Sequence, residues 1–247
     1  MPVAKTIERA YTLFEKYLIG ETLDVCKACC VTDAEEKELV NTPLRTVSRT
    51  LLQNAYYESA RSGSDRELWE MKHFLPRVLE LVADFAFPCH STEITFTRLD
   101  LDQPEKWSSQ ESRILNDFSV AFFKKCLAVY PLPKNEEIAG VLIMFGIGHF
   151  DLMPVLNEWL HAANPESTLH FKDLLLNEVE YQKQNAHKLT NPFSTNDVDK
   201  CVADWLNSAT VKHLFSRKIQ TLLTTGNQHF DEETTAQLVW VNELMSS

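Results

Sequence analysis

Apolar side chains recur every three to four residues along most of the chain, which is the spacing of one face of an α-helix. One clear stripe consists of Ile114, Phe118, Phe122 and Cys126. Threonine or serine followed three residues later by glutamate marks three helix starts, because the two side chains satisfy each other's backbone N–H groups. These pairs are Thr32 with Glu35, Ser64 with Glu67 and Ser108 with Glu111. The pattern predicts about ten helices, at residues 3–19, 33–41, 43–61, 65–86, 105–130, 136–147, 152–163, 166–187, 195–224 and 232–245.

Two segments need a separate interpretation. Pro76 falls inside the predicted helix 65–86 and should kink or split it, since proline removes a backbone donor. The threonine-rich stretch Thr92–Leu99 alternates like a strand. A single strand would have no partner in a helical chain, so we predict that it is helical. Asn135, Ser194 and Asp231 are further predicted helix caps.

Composition supports an all-α fold. The chain has 247 residues but only six glycines, far below the usual share of about 7%, whereas β-rich folds need glycine in turns and bulges. Both an irregular helical-repeat-like stack and a globular multi-helix bundle fit the pattern. We expect a single helical domain, 1–247. The proline-rich segment 130–135 marks a candidate hinge between 1–130 and 136–247.

The charge balance limits the partners. There are 24 Lys and Arg against 35 Asp and Glu, a formal net charge of −11. A protein that binds nucleic acid needs basic patches to neutralise phosphates, so we expect no nucleic-acid partner. The longest apolar run, 138–147, is too short to span a bilayer, which takes about 20 residues. With no secretory signal at its start, the sequence predicts a soluble cytoplasmic protein with reduced cysteines and no membrane partner.

The most specific local feature is the Cys-x-x-Cys-Cys segment formed by Cys26, Cys29 and Cys30. If the segment is helical, the three thiols share one face and could converge on a soft metal such as zinc. A structural zinc site takes about four ligands, and His90 in the doublet Cys89-His90 is the candidate fourth. The alternative is that no cofactor binds and the cysteines are small packing residues, as free cysteines commonly are.

A second candidate pair is His149 and Asp151, which flank Phe150 at a predicted junction between helices. The two could act as an acid and a base, but the simpler interpretation is that Asp151 caps the next helix. The sequence contains no phosphate-binding glycine loop, no nucleophile elbow and no zinc-protease motif. We therefore assign no catalytic residue and expect a protein that is not an enzyme.

Several phrases resemble a family of uncharacterised helical bacterial proteins that are similar to immunity proteins encoded beside polymorphic toxins of the rearrangement-hotspot (Rhs) type. These phrases lie at 25–30, 41–45, 72–77, 90–93, 151–159 and 202–206. The resemblance implies an inhibitor that binds a cognate toxin domain and occludes its active site. A basic toxin would suit the acidic chain, because opposite charges speed association. Two alternatives stay open: a helical adaptor or scaffold with a cysteine-based zinc site, and an enzyme that reverses a toxin's modification.

Overall fold

The computed structural model describes residues 1–60, 63–99, 101–183, 185–225 and 230–246. The fold is predominantly helical, as predicted. The chain divides into two compact units, one made of Met1–Phe122 with Gly148–Phe150, the other of Phe123–Ile147 with Asp151–Ser247. The predicted hinge 130–135 lies inside the second unit. None of the described helices is both long enough and apolar enough to cross a membrane.

The α-helices of the first unit are α1 (Val3–Phe14), α2 (Asp33–Asn41), α3 (Arg49–Leu52), α4 (Asp65–Ala83) and the part of α5 (Ser109–Leu127) up to Phe122. The reciprocal caps predicted at Thr32 and Ser108 are both present. The Ser64 hydroxyl accepts the Glu67 N–H at 2.9 Å, while the Glu67 carboxylate also pairs with Arg98. Pro76 is buried within α4, which continues through it as one helix, so the predicted split is wrong.

Two predictions in this unit need further comment. The stretch predicted as helix 43–61 breaks into a 3₁₀ turn (Leu44–Thr46), α3 and a π-helical turn (Gln53–Tyr57). Its interruption follows from Ser48, whose hydroxyl accepts the Leu51 N–H and starts a new helix. Thr92–Leu99 is helical as predicted, with a 3₁₀ helix over Glu93–Leu99.

The second unit contains the end of α5, followed by α6 (Ile138–Ile147), α7 (Leu152–His161), α8 (Pro165–Asp173), α9 (Asn196–Asn207), α10 (Ala209–Thr224) and α11 (Glu232–Ser246). Its core contains a cluster of large rings. Phe171 and Phe215 stack with centroids 3.6 Å apart, and Trp159 stacks on Trp205 at 5.8 Å. Residues of α7, α8, α9 and α10 are thereby joined through one aromatic contact network.

Two long predicted helices in this unit are wrong in part. The segment predicted as helix 166–187 leaves the helix after a π-helical turn (Leu174–Glu178) and forms an antiparallel hairpin of β1 (Val179–Gln182) and β2 (Asn185–Leu189). The segment predicted as helix 195–224 is two helices, because Ser208 ends α9 and its hydroxyl caps α10. Residues 61 and 184, which the predicted helices 43–61 and 166–187 include, lie outside the described residues.

The predicted caps have mixed outcomes. Asp231 accepts the Thr234 N–H at 2.7 Å and caps α11 as predicted. Ser194 does not cap α9; the cap is its neighbour Thr195. Asn135 lies in a 3₁₀ turn with a φ of 60°, a left-handed conformation unlike the extended backbone of an N-cap.

Candidate site formed by three thiols

Cys26, Cys29 and Cys30 lie on a turn at the surface of the first unit, and their sulfur atoms converge. The Sγ atoms of Cys26 and Cys29 are 3.7 Å apart, and those of Cys29 and Cys30 are 3.3 Å apart. All three lie within 4.8 Å of one another. The segment is a turn, not the helix on which the sequence argument depended, but the turn brings the thiols together as well.

The start of this turn is anchored to a neighbouring segment. The Cys26 N–H donates to the Ser59 carbonyl at 2.7 Å, and Val25 forms a β-bridge with Ala60. Within the turn, the Val31 N–H donates to the Cys26 carbonyl at 3.2 Å. These bonds hold the backbone of the turn, from which the three thiols project.

Lys27 stabilises the same turn through charge. Its ammonium lies 2.7 Å from the Asp33 carboxylate and 2.5 Å from that of Glu36. These contacts tie the turn to the first turn of α2 and direct the Lys27 charge toward carboxylates. Cys29 and Cys30 are exposed, and Cys26 is half-buried.

Cys26 and Cys30 differ in acidity. The backbone N–H groups of Ala28 and Cys29, together with the neighbouring thiols, lower the pKa of Cys26 because they donate hydrogen bonds to the thiolate. Hydrogen bonds with Cys29 and Cys26 raise the pKa of Cys30 to about 11. Of these two residues, Cys26 is thus the one whose thiol ionises first. The resulting thiolate is the form that binds metals and attacks electrophiles.

The spacing of the sulfur atoms suits a tetrahedral thiolate site. With metal–sulfur bonds of about 2.3 Å, the edge of such a tetrahedron is about 3.8 Å, close to the observed 3.7 Å between Cys26 and Cys29. Three thiolates supply three of the four positions and leave one for water or an outside ligand. Within the described part of the chain, the group of ligand atoms within 4.8 Å contains these three cysteines and not His90.

His90, the predicted fourth ligand, lies in a different setting. Its side chain is 69% exposed, and its Nδ1 is 3.7 Å from a carboxylate oxygen of Glu58. Both residues line a polar cleft of about 810 Å³, which Arg98 and Lys106 border as well. Cys89 lines the same cleft, but its thiol donates to the Ser91 carbonyl and burial raises its pKa.

Sequence reasoning did not identify the cleft, because its members come from segments far apart in the chain. Glu58 and Arg98 are 40 positions apart and carry no motif.

The structure decides between the two interpretations of His149 and Asp151. Asp151 accepts the Met153 N–H at 3.0 Å and caps α7, as the simpler interpretation predicted, and His149 is an exposed residue with a φ of 60°.

Comparisons with known proteins add no further constraint. No protein-family model, no curated protein and no solved structure gives a significant match to this chain. The function must therefore be argued from the residues and their geometry.

Proposed function

We propose that the chain is an immunity-type binding protein that neutralises a cognate antibacterial toxin in the cytoplasm by covering the toxin's active site. The proposal starts from the resemblance to Rhs-type immunity proteins and from the formal charge of −11. The observation that carries it is the placement of the negative charge. An inhibitor of a basic toxin needs its surplus carboxylates on the accessible surface, where they can steer association.

Buried carboxylates of the described residues are neutralised locally. The pairs are Glu36 with Lys27, Glu67 with Arg98, Glu70 with Arg66, and Glu111 with Lys72. Since each of these pairs is neutral as a whole, the excess of negative charge belongs to side chains that solvent, or a partner, can reach. This distribution supports binding to a positively charged surface.

Two tryptophans offer anchors for such a complex. Trp69 in the first unit is 47% exposed and lies near Leu18, whose carbonyl accepts its indole N–H at 2.8 Å. Trp240 on α11 is 46% exposed, and the adjacent Val239 is 43% exposed. Tryptophan is enriched among the residues that dominate binding energy at interfaces. An exposed ring on a chain with a formal charge of −11 would combine apolar contact with charge complementarity to a basic partner.

The test is co-expression with the toxin domain encoded by the neighbouring gene. We expect the chain to restore growth of a sensitive bacterium and to co-purify with the toxin at equal stoichiometry. We expect Trp69→Ala or Trp240→Ala to weaken the complex about 30-fold, since truncating an anchor costs about 2 kcal/mol or more. Met153→Ala is the matched control, because Met153 is also 46% exposed. If the wild-type chain neither restored growth nor co-purified with the toxin, the proposal would be refuted.

A second candidate function is supported by the thiol geometry: a helical adaptor whose cysteine turn holds a zinc ion. Three sulfur atoms within 4.8 Å of one another, with Cys26 and Cys29 separated by nearly a tetrahedral edge, favour this candidate specifically. In this role the metal would stabilise the segment that connects α1 to α2. The open coordination position would be available to water or to a group of a partner.

Elemental analysis and cobalt substitution test this candidate. We expect about one zinc per chain after purification without chelator, and cobalt spectra with sulfur-to-metal charge transfer. Replacing Cys26, Cys29 and Cys30 together by serine should abolish both signals. Cys201→Ser is the control, because Cys201 is a free, half-buried thiol of the second unit. The zinc-binding candidate would be contradicted if the triple variant retained metal or if the wild type bound none.

A further inference from the structure

A pocket of about 470 Å³ lies between the start of α8 and the second half of α10, entirely within the second unit. Of its ten lining residues, four are apolar (Ala163, Pro165, Leu214 and Leu222), four are uncharged and polar, and two, Arg217 and Lys218, are cationic. Pockets of this size that combine apolar walls with a few polar groups are typical binding sites for small molecules.

Lys218 is the unusual residue of this pocket. It is half-buried, its ammonium donates to the Trp159 carbonyl at 3.0 Å, and it lies 4.3 Å from the centroid of the Phe215 ring. Burial lowers its pKa to about 8. Within the described ranges, no carboxylate lies within 4.0 Å of Lys218 or Arg217. A partly desolvated ammonium without a counter-anion is unfavourable.

The two fully buried lysines of the described chain, unlike Lys218, each lie beside a carboxylate. Lys72 lies 3.2 Å from Glu111, and Lys172 lies 2.7 Å from Asp173. Among the described residues, Lys218 has no carboxylate partner of this kind. Lys218 does help to cap the last turn of α7 through Trp159, but this uses one of its three N–H donors. The other two donors have no hydrogen-bond partner within the part of the chain that the structure describes.

We propose that this pocket binds a small organic carboxylate. The carboxylate accepts hydrogen bonds from Lys218 and Arg217, and the apolar body of the ligand packs on Leu214 and Leu222. Charge-assisted hydrogen bonds of this kind are shorter and stronger than neutral ones. The apolar walls favour a molecule with a hydrocarbon part over an inorganic anion, which would leave those walls uncovered. This binding does not depend on the proposed toxin partner.

Calorimetric titration with three probes tests the proposal: octanoate, the neutral octanol of the same chain length, and inorganic phosphate. We expect octanoate to bind one to one and at least about tenfold more tightly than octanol, since hydrogen bonds between charged groups are stronger than neutral ones. Phosphate should bind more weakly than octanoate. Lys218→Met should reduce octanoate affinity about tenfold or more, while Lys212→Met, on the same helix but outside the pocket, should not.

A second variant keeps the test independent of Lys218. Leu222→Trp fills the pocket but retains both cations, so it should also block octanoate. Thermal melts of each variant establish that it is folded. Equal affinities for octanoate and octanol, unchanged binding in folded Lys218→Met, or phosphate binding as tight as octanoate would each overturn the proposal.

Discussion

The buried carboxylate of Glu111 gives the sharpest prediction about stability. Its side chain is 1% exposed and that of Lys72 is 5% exposed, and the two groups are 3.2 Å apart. Glu111 also accepts the Tyr17 hydroxyl at 2.6 Å, the Ser108 N–H at 3.0 Å and the Lys16 ammonium at 2.9 Å. We expect Glu111→Gln to destabilise the protein strongly, because it leaves the Lys72 ammonium buried without a counter-charge.

The loss of stability in Glu111→Gln can be calculated in two ways, and the two values are similar. Removing one member of a buried ion pair costs about 3–5 kcal/mol. Burial alone would raise the pKa of Glu111, but the hydrogen bonds from Tyr17, Lys16 and Ser108 and the charge of Lys72 lower it to about 2. At 1.36 kcal/mol per pKa unit, this corresponds to roughly 3 kcal/mol of stability. Because the folded pKa is depressed, this contribution is present above the unfolded pKa and is lost as pH falls toward about 2.

Urea denaturation followed by circular dichroism measures both effects. At pH 7 we expect Glu111→Gln to lower the free energy of unfolding by about 3 kcal/mol. Between pH 5 and pH 3 the wild type should lose stability more steeply than the variant, which no longer carries this titration. Adding Lys72→Met to Glu111→Gln is the control and should recover part of the loss. A loss below about 1 kcal/mol, or identical pH profiles, would refute the reasoning.

Three further predictions are checked by thermal and urea denaturation. The buried indole N–H of Trp205 has no partner among the described residues, whereas that of Trp159 donates to the Ser167 carbonyl at 2.9 Å. Trp159→Phe should therefore lower the free energy of unfolding by about 1–2 kcal/mol more than Trp205→Phe does. Equal losses in the two variants would contradict this. A Cβ at Gly146 would lie 2.4 Å from Val198 Cγ2, so Gly146→Ala should destabilise by about 1–3 kcal/mol and Val198→Ala should partly rescue it. Thr32→Ala removes a capping box and should cost about 1 kcal/mol; no loss would mean that water replaces the cap.

Local signals predicted the helices that begin with their own cap. Thr32, Ser108 and Asp151 each accept a backbone N–H within the next three residues, so the information that starts those helices lies beside them in the sequence. Ser208 shows the limit of this reasoning. It lies between two apolar stripes that continue the helical period, and its hydroxyl starts a second helix where the pattern alone indicated one.

The hairpin of β1 and β2 could not be predicted in the same way. Its second strand has no regular alternation of buried and exposed positions, and its register shifts between Glu180 and Tyr181. The turn places Lys183 at a φ of 50° without a glycine to signal it. The hairpin is held partly by tertiary bonds: the Asn207 amide pairs with the backbone of Ala186 at 2.8 and 2.9 Å.

The thiol site was predictable because all its members lie within five residues, so almost any compact turn brings them together. The pocket at Lys218 was not, because its significance depends on what is absent around it. Sequence shows a lysine in an amphipathic helix, which is most often a solvated residue. Only the fold shows that this lysine lines a pocket with Leu214 and Leu222, and that no carboxylate of the described residues pairs with it.

Salt dependence separates the two binding proposals, because they place charge in different environments. Attraction between a basic toxin and accessible carboxylates acts over distances that ions screen, with a Debye length of about 8 Å at physiological ionic strength and about 3 Å at 1 M. Association with the toxin should therefore slow markedly between low and high salt. The Lys218 ammonium is half-buried and would contact its carboxylate directly, so screening affects it less. If the octanoate affinity fell with added salt as steeply as the toxin's association rate, the carboxylate would bind at the surface and not inside the pocket.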